Sequence, residues 1–547
     1  MPADWPLRTT APELATRYRA EGWWTDATLG AVVNRAFVDS PGLAVRIWSD
    51  TRPAETSIGD VAHRARELAG GLIARGIGPG DVVAFQLPNW LEAAVTFYAV
   101  ALTGATLVPI VHFYGPHEVG YVLRESEARV LITTDRFGHL DYLAALEELR
   151  PGLADLETVA IVGDGPLPAD AIGFDALFGD PVDGPSPVDP DSPAVVGYTS
   201  GTTASPKGVV HTHRTLIAEI HQVATMSATG RTPILNGAPV GHAIGMQAGL
   251  LLPLTQGLGV YLTDVWDPAR VLAAMLECRV TSGAGSTFFL QSLLDDPTCT
   301  AEHRALIGRV GLGGAPVPAA FVDRARDLGV SIVRSYGSTE HPSTTGSTHD
   351  DPYEVRGYTD GRPLPGVEIR LVDEAGHDVS VGSPGEILSR GPDLFAGYTD
   401  PGLTATAVDT DGWYSTGDVG VLDDHGALTI TDRIKDIIIR GGENISAVEV
   451  EEQVARIPGV AEVAVVAAPD VRLGEHACAF VRVLPDATPP DLDAMRAHLE
   501  RAGLARQKWP EELHVVDALP RTPSGKVKKY ELRTSLRAAE FGAFRSS

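Results

Sequence analysis

The chain has 547 residues, of which 44% are hydrophobic and 21% charged, and its formal net charge is −27 because 71 Asp and Glu outnumber 44 Lys and Arg. That length exceeds the roughly 100–200 residues of one domain, so we expect several packed units, and the apolar content excludes a disordered chain. The negative charge repels a phosphate backbone, so we expect no nucleic-acid partner, although a local nucleotide pocket stays compatible with it.

The cysteines and the apolar segments favour a cytoplasmic protein. Cys278, Cys299 and Cys478 form no CxxC pair, which argues against a disulfide scaffold and a thiolate zinc site. The first twenty residues contain no apolar stretch typical of a secretory signal. The longest apolar stretch, 243–262, is interrupted by two glutamines and a proline. We therefore expect it to be a buried core segment, and no membrane span.

The first part of the chain alternates helices and strands. Apolar residues recur at helical spacing from 58 to 73, and the run from Gly76 to Gly80 ends that helix. Short apolar runs predict a second helix at 91–102 and strands at 82–87, 107–111, 130–133, 159–162 and 194–198. This alternation predicts βαβ units and a mostly parallel sheet. The segment 163–193 is rich in Gly, Pro and Asp, and we expect it to be a surface connection.

The pattern changes beyond Arg362 and again after Arg433. Short strands without long helices between them are predicted at 367–372, 385–389 and 427–431. After these, helices at 447–456 and 492–501 accompany strands at 463–467, 479–483 and 513–516. The sequence thus predicts an α/β fold with a large N-terminal domain, residues 1–431, of βαβ subdomains plus a β-rich subdomain. A small C-terminal α+β domain, residues 432–547, follows it.

A loop dense in hydroxyl groups follows the strand predicted at 194–198. It reads YTSGTTASPKG from Tyr198 to Gly208. Glycine lets a backbone approach an anion closely, successive N–H groups form a concave nest, and hydroxyls and a lysine add donors. The loop therefore predicts polyphosphate binding by Thr199, Ser200, Gly201, Thr202, Thr203 and Lys207. The Walker pattern GxxxxGK[ST] is not matched, and kinase signatures are missing, so an ordinary ATPase or kinase is not expected.

Further short blocks follow this loop in order. They are GGAP at 313–316, YGSTE at 336–340, YSTGD at 414–418, DRIKDIIIRGGENI at 432–445 and PRTPSGK at 520–526. With the loop, this set resembles the signatures of the adenylate-forming superfamily, which includes acyl- and aryl-CoA synthetases, nonribosomal adenylation domains and luciferases. The resemblance covers nearly the whole chain and is strongest toward medium-chain or cyclohexanecarboxylate-type acid:CoA ligases.

The resemblance implies an AMP-forming acid:CoA ligase that uses ATP, Mg²⁺ and coenzyme A as cosubstrate. A carboxylate and ATP would give acyl-AMP and pyrophosphate, and the CoA thiol would then displace AMP. Lys526 would offset the repulsion between the two anions of the first step. The C-terminal domain would be mobile, swinging about a hinge at Lys435 between the two steps. Gly441 and Gly442 would line the passage for the pantetheine arm, where a backbone without side chains leaves room.

Roles for the nucleotide-binding blocks follow from the same resemblance. Glu340 is expected to anchor Mg²⁺, which prefers hard oxygen ligands, and Thr339 is expected to lie beside the phosphate under attack. The ring of Tyr336 would flank the adenine. Asp418 would accept hydrogen bonds from the ribose hydroxyls, and Arg433 would contact the ribose or a phosphate. The neighbouring cofactor-binding positions are Gly313, Gly314, Ala315, Pro316 and Gly337.

The acid pocket is predicted less sharply. His242 matches the family position of a ring that gates the acid pocket, and the Ala243 that follows it disfavours hydroxybenzoates, whose ligases tend to carry Asn there. By resemblance, the pocket would also be lined by 284–288, by Gly313 and Gly314, and by the segment up to His341. Most of these residues are small or apolar, which predicts an uncharged acid tail that is medium-chain, alicyclic or aryl.

Several alternatives stay open at this point. The activated group could pass to a carrier-protein thiol or to an amine, and an inorganic oxyanion such as nitrite could replace the carboxylic acid. All these enzymes keep the quoted blocks. A catalytically inactive nucleotide-binding protein is disfavoured because Thr339, Glu340, Asp418, Arg433 and Lys526 are all present. The oligomeric state and the natural acid are not predicted.

Overall fold

The computed structural model describes residues 5–199, 206–226, 232–440, 443–470, 472–485, 487–522 and 525–536. Its largest sheet carries the hydroxyl-rich loop. In spatial order its strands are Gly397–Tyr398, Lys207–Thr212, Pro193–Thr199, Thr106–Pro109, Val82–Gln86, Val130–Thr134, Thr158–Val162 and Ile172–Gly173. From Pro193–Thr199 to Ile172–Gly173 every pairing is parallel, and Lys207–Thr212 is antiparallel to both neighbours. The predicted mostly parallel sheet is confirmed.

Two predicted helices cover this sheet. Helix Ile58–Ala74 begins with a capping box formed by Ser57 and Asp60, which satisfies backbone N–H groups that the first turn leaves unpaired. Helix Leu91–Thr103 is buried on nearly all sides, as expected of a helix that is apolar all round. Both belong to one apolar core with the strands beneath them. This rigid layer holds the strand ends, and therefore the loops that follow them, in place.

The expectation that 163–193 is only a surface connection is wrong in part. The segment contributes strand Ile172–Gly173 and a 3₁₀ turn, Phe174–Leu177, in which Phe174 and Leu177 are buried. The turn packs against helix Ile58–Ala74 at Gly71, where an added Cβ would lie 1.6 Å from the carbonyl oxygen of Leu177. A few buried side chains among many polar ones give no periodic signal, which is why composition missed them.

Three four-stranded sheets and one two-stranded sheet, Arg136–Phe137 with Leu140–Asp141, complete the described part of the first 433 residues. One contains Leu235–Asn236, Val260–Thr263, Ala44–Trp48 and Ala54–Ser57, and another contains Arg309–Gly313, Ser331–Tyr336, Thr345–Gly346 and Arg362–Pro363. The third is antiparallel, as the predicted β-rich region requires, and contains Glu368–Val372, Gly385–Arg390, Tyr414–Leu422 and Leu428–Arg433. The remaining α-helices of this part are Pro12–Ala20, Leu29–Asp39, Pro116–Glu125, Tyr142–Leu149, His213–Met226, Ala243–Met246, Leu252–Thr255, Pro268–Cys278, Thr287–Asp295, Ala301–Ile307, Ala319–Asp327, Tyr353–Tyr358 and Pro401–Ala407.

The C-terminal residues form their own sheet and core. The strands are Glu443–Ile445, Ile438–Arg440, Gly474–Val483 and Val460–Asp470, with Glu512–Val515 parallel to Gly474–Val483. Helices Ala447–Val454 and Leu492–Arg501 pack on this sheet through an apolar cluster that contains Val450, Val465 and Leu499. A separate core is what a domain of residues 432–547 requires, and the boundary itself stays a prediction. Across the described ranges, no helix has the length and apolar character needed to cross a bilayer.

Candidate active site

A cleft of about 2870 Å³ lies between the N-terminal part and the C-terminal residues. Residues from most of the quoted blocks line it: Thr199, Lys207, His242, Gly313, Gly314, Ala315, Pro316, Tyr336, Gly337, Thr339, Glu340, Asp418, Arg433 and Lys526. These residues are far apart in the chain, so the fold alone brings them together. Ser200, Gly201, Thr202 and Thr203 lie outside the described residues, as do Gly441 and Gly442. For Lys435 only the backbone is described, in the 3₁₀ turn Ile434–Asp436.

The two ends of the hydroxyl-rich loop are held side by side. Thr199 and Lys207 are cross-strand partners at the end of the large sheet. The ammonium of Lys207 lies 5.3 Å from the ring centroid of Tyr398, a cation–π distance. The hydroxyl of Tyr398 donates to Glu340 Oε1 at 2.8 Å. Tyr398 therefore links the lysine of the loop to the carboxylate expected to anchor a metal.

A tight turn after strand Ser331–Tyr336 presents Thr339 and Glu340 to the cleft. The turn closes through the Ser338 N–H, which donates to the His341 carbonyl at 3.0 Å. The Thr339 methyl lies 3.2 Å from the position of a Cβ added at Gly197, on the strand that leads into the loop. The Thr339 carbonyl accepts from His211 Nε2 at 2.7 Å, and burial lowers the pKa of His211. A neutral, buried histidine thus fixes the backbone of this turn.

Asp418, on strand Tyr414–Leu422, contacts side chains of the strands Ser331–Tyr336 and Leu428–Arg433. Its Oδ2 accepts from the Tyr336 hydroxyl at 2.7 Å, and its Oδ1 lies 2.5 Å from Arg433 Nε. Asp418 and Arg433 face each other across antiparallel strands. Burial, and then the charge of Asp418, raises the pKa of Tyr336 well above its ordinary value. The phenol therefore stays protonated as a donor, and the carboxylate is fixed between two partners.

Lys526 enters the cleft from the C-terminal sheet. A Cβ added at Gly314 would lie 3.7 Å from Lys526 Cε, so the side chain lies against the GGAP block. The lysine loop is closed by the Lys526 N–H, which donates to Thr522 Oγ1 at 3.0 Å. Gly525, with φ +84°, sits directly on Ser286 and Phe288. The structure therefore places the lysine at the predicted acid pocket.

His242 faces the same place from the other wall. It is half-buried and begins the helix Ala243–Met246. Burial, and then the positive charge of Lys526, lowers the pKa of His242 to about 4. The imidazole is therefore neutral at pH 7 and contributes shape and hydrogen bonding rather than charge.

Sequence reasoning missed several residues of this region. His211 and Tyr398 support the turn and the loop as described above. Glu219 and Gln247 line the cleft and contact each other, and the buried Asp393 lies beside Glu219. One signal was available: Glu219 interrupts the short apolar run 216–220, eleven residues after the end of the loop. The other missed residues have no recognisable motif around them in the sequence, because their partners are distant in the chain.

Comparisons with known proteins identify similar chains and a matching family. The family model described as AMP-binding enzyme matches residues 35–399, and that of the AMP-binding enzyme C-terminal domain matches 449–526. The medium-chain fatty-acid–CoA ligase of Escherichia coli K12 is 33% identical over 95% of this chain and 92% of its own length.

Two further proteins are similar over most of the chain. A Rhodococcus jostii RHA1 ligase, named 3-[(3aS,4S,7aS)-7a-methyl-1,5-dioxo-octahydro-1H-inden-4-yl]propanoyl:CoA ligase, is 36% identical over 92% of this chain and 98% of its own. The structure of ATP-bound MatB from Rhodopseudomonas palustris superposes with a TM-score of 0.82 at 27% identity, covering 93% of this chain and 99% of that one.

Proposed function

The chain belongs to the AMP-binding enzyme family, and from that premise we propose that it is an ATP-dependent, AMP-forming acid:CoA ligase. In the first step a carboxylate oxygen attacks the α-phosphorus of ATP, and pyrophosphate leaves. In the second step the CoA thiol attacks the acyl carbon, and AMP leaves. One observation carries the proposal: Lys526 reaches Gly314 and the neighbourhood of His242 in the cleft that also holds Thr339, Glu340 and Asp418.

In the first step, the acid and the nucleotide would be bound by different residues of the cleft. Lys526 lies at the acid pocket, where its charge would hold the incoming carboxylate and offset its repulsion from the triphosphate. Asp418, fixed by Tyr336 and Arg433, is suited to accept hydrogen bonds from the ribose. Thr199 and Lys207 flank the loop that would hold the phosphates.

The residues near Glu340 fit a magnesium ion shared with the triphosphate. The Glu340 carboxylate and the Thr339 hydroxyl are hard oxygen donors beside the phosphate loop, and Mg²⁺ binds such groups together with substrate phosphates. When bound, the ion would neutralise charge on the phosphates. Tyr398 orients the Glu340 carboxylate through its 2.8 Å hydrogen bond. Glu340 is therefore the proposed metal ligand of this chain.

The second step requires the lysine to leave. In the described arrangement, Gly525 lies against Ser286 and Phe288, and Lys526 lies against Gly314, at the acid side of the cleft. We infer that residues 432–547 swing about Lys435 after the acyl-AMP forms, and that Gly441 and Gly442 then line the thiol passage. The separate apolar core of the C-terminal sheet supports a rigid-body motion, since its packing need not change.

The acid is proposed to be medium-chain, alicyclic or aryl. The pocket walls include Ala284, Gly285, Phe288 and Ile244, which suit an uncharged tail. The named acids of the two CoA-ligase relatives are a medium-chain fatty acid and a bicyclic acid with two oxo groups. A few wall residues decide between such acids, so the class is proposed and no single acid.

The decisive experiment identifies products and acceptor together. Purified protein with ATP, Mg²⁺ and a panel of medium-chain, cyclohexane- and benzoate-type acids is expected to release pyrophosphate and AMP and to form the acyl-CoA. Release of ADP instead of AMP would contradict adenylate formation. Product with a carrier protein, hydroxylamine or another amine, but never with CoA, would retain adenylation and overturn the ligase assignment.

A further inference from the structure

Three side chains on the C-terminal sheet form a cluster away from the cleft. They are Cys478 on strand Gly474–Val483 and Glu512 and His514 on strand Glu512–Val515, and none of them is among the described residues that line the cleft. One ligand atom from each lies within 4.8 Å of the ligand atoms of the other two. We propose that this cluster binds a divalent cation of the zinc type. The inference does not depend on the proposed ligase activity.

The register of the two strands brings these side chains to one face of the sheet. The strands pair in parallel, with Cys478 opposite Glu512 and Phe480 opposite His514. Alternate residues of a strand point to the same face, so Glu512 and His514 follow each other on the face that carries Cys478. This face lies opposite the two helices, because Cys478 belongs to the apolar cluster of Leu519 and not to that of the helices.

The distances in the cluster are close to those between the ligands of a tetrahedral zinc ion. Bonds of about 2.0–2.1 Å to nitrogen or oxygen and about 2.3 Å to sulfur place oxygen about 3.3 Å from nitrogen and about 3.6 Å from sulfur. Here Glu512 Oε2 lies 3.3 Å from His514 Nε2 and 3.9 Å from Cys478 Sγ. The carboxylate oxygen is therefore already at nearly the required distance from both other ligands.

Two neighbouring side chains hold the ligands in this orientation. His476 Nε2 donates to Glu512 Oε1 at 3.2 Å, which leaves Oε2 turned toward Cys478 and His514. The ring of Phe480 stacks on the ring of His514 with a centroid distance of 4.8 Å and an interplanar angle of 19°. Outer contacts of this kind orient the ligands of metal sites. The cluster is thus arranged for an ion before one binds.

The exposure and chemistry of the ligands indicate how an ion enters and which ion fits. Cys478 is fully buried, whereas the side chains of Glu512 and His514 are 45% and 44% exposed. An ion would therefore enter from the side of the carboxylate and the imidazole and keep a water molecule as its fourth ligand. A thiolate with an imidazole suits Zn²⁺ or Co²⁺, whereas Mg²⁺ and Ca²⁺ prefer oxygen ligands alone.

Binding would release one proton. Burial, and then Glu512, raises the pKa of Cys478 to about 12, so without an ion this group is a neutral thiol. The ion would displace the Sγ proton to solvent and form a bond to sulfur, and neutral His514 would carry its hydrogen on Nδ1. The ion would then link strand Glu512–Val515 to strand Gly474–Val483. Cysteine spacing does not predict such a site, because its ligands come from two strands.

The test is a Co²⁺ titration of the full-length protein after treatment with a chelator and without ATP. One equivalent of Co²⁺ is expected to produce the charge-transfer absorption of a cobalt–thiolate bond, and Zn²⁺ should remove it. Cys478→Ala should abolish this absorption. His514→Ala should weaken Co²⁺ binding at least about tenfold, since even the loss of an outer contact has an effect of this size.

Matched controls are Cys299→Ser, which removes a thiol outside the cluster, and His377→Ala, which removes an imidazole that is 80% exposed on another sheet edge. Both should bind Co²⁺ as the wild type does, and circular dichroism verifies that each variant folds. Absence of the absorption at a moderate excess of Co²⁺ would overturn the proposal. Absorption that survives Cys478→Ala, or that is lost in Cys299→Ser, would also overturn it. Where Cys478→Ala does not fold, an unchanged affinity in His514→Ala contradicts the site.

Discussion

At the scale of single residues, Lys526 and His242 share one small region and differ in charge. The pKa of His242 is lowered to about 4 by burial and by Lys526, so in the neutral pH range only the lysine is charged there. The developing charge of the first step is therefore met by Lys526, while His242 shapes the pocket. This division predicts that the two half-reactions depend differently on the lysine.

Lys526→Ala is expected to slow acid-dependent exchange of pyrophosphate into ATP by about 10²–10³, the usual effect of removing one electrostatic donor. Thiolation of supplied acyl-AMP should largely survive, because the lysine acts on the carboxylate and not on the thiol. Rapid-quench measurement of both half-reactions tests this. The matched control is Lys528→Ala, which removes the same charge from a side chain that pairs with Glu531 at 2.9 Å. Equal losses in both half-reactions would contradict the role.

At the scale of elements, close contacts between backbones decide where the helices lie. Helix Ile58–Ala74 carries Gly70 and Gly71 in its interior, where glycine usually weakens a helix. Here the missing Cβ of Gly71 lets the turn Phe174–Leu177 approach the helix, and that of Gly70 does the same for the backbone of Asp180. The segment 243–262 is also not a single regular helix. Its residues form a π-helical turn, Gln247–Leu251, between two short helices, and such turns often occur at functional sites.

Gly71→Ala is expected to lower the free energy of unfolding by about 1–3 kcal/mol, the usual cost of overpacking. Helix propensity alone predicts the opposite, a more stable protein, because alanine favours a helix more than glycine does. We expect destabilisation because the new methyl group would lie 1.6 Å from the Leu177 carbonyl oxygen. Urea unfolding of the purified protein measures the change. Gly42→Ala serves as the control, since nothing lies within 4 Å of a Cβ there. A stabilised Gly71→Ala variant would show that the turn does not pack as described.

At the scale of the whole molecule, the C-terminal loop contacts the predicted acid pocket, and this is the arrangement that we propose for the first step. Gly525 lies on Ser286 and Phe288, and the Arg521 guanidinium lies 5.8 Å from the Phe288 ring centroid. Gln291 Nε2 also donates to the Ala461 carbonyl at 3.3 Å. These contacts join the two parts of the chain around Lys526, and they must open before the proposed second step.

Gly525→Ala is expected to reduce the first half-reaction by about 10²-fold, since displacements near 1 Å have effects of this size. An added Cβ would lie 2.4 Å from Ser286 Oγ, whereas the swung arrangement would lack this clash. Gly503→Ala is the matched control, because Gly503 also has positive φ, +76°, but has open space around it. The ratio of the two half-reaction rates distinguishes a defect in the contact with Ser286 from general backbone strain. If Gly525→Ala and Gly503→Ala changed this ratio equally, the result would contradict the proposal.

The sequence by itself determined the alternation of helices and strands before residue 200, the mostly parallel sheet and the family to which the chain belongs. These features depend on local periodicity and on short blocks whose residues are neighbours in the chain, such as YGSTE and PRTPSGK. It also indicated a separate C-terminal unit through the change of pattern after Arg433.

Only the tertiary structure decided which side of the cleft Lys526 occupies, how Tyr398 and His211 support the turn that carries Thr339 and Glu340, and that Glu219 lines the cleft. The physical reason is that these features depend on contacts between residues that are distant in the chain, 58 positions apart for Tyr398 and Glu340 and more than a hundred apart for others. Glu219 with Ser343 and His211 with Thr339 are examples. Burial, which keeps His242 neutral, is likewise a property of packing and not of local sequence.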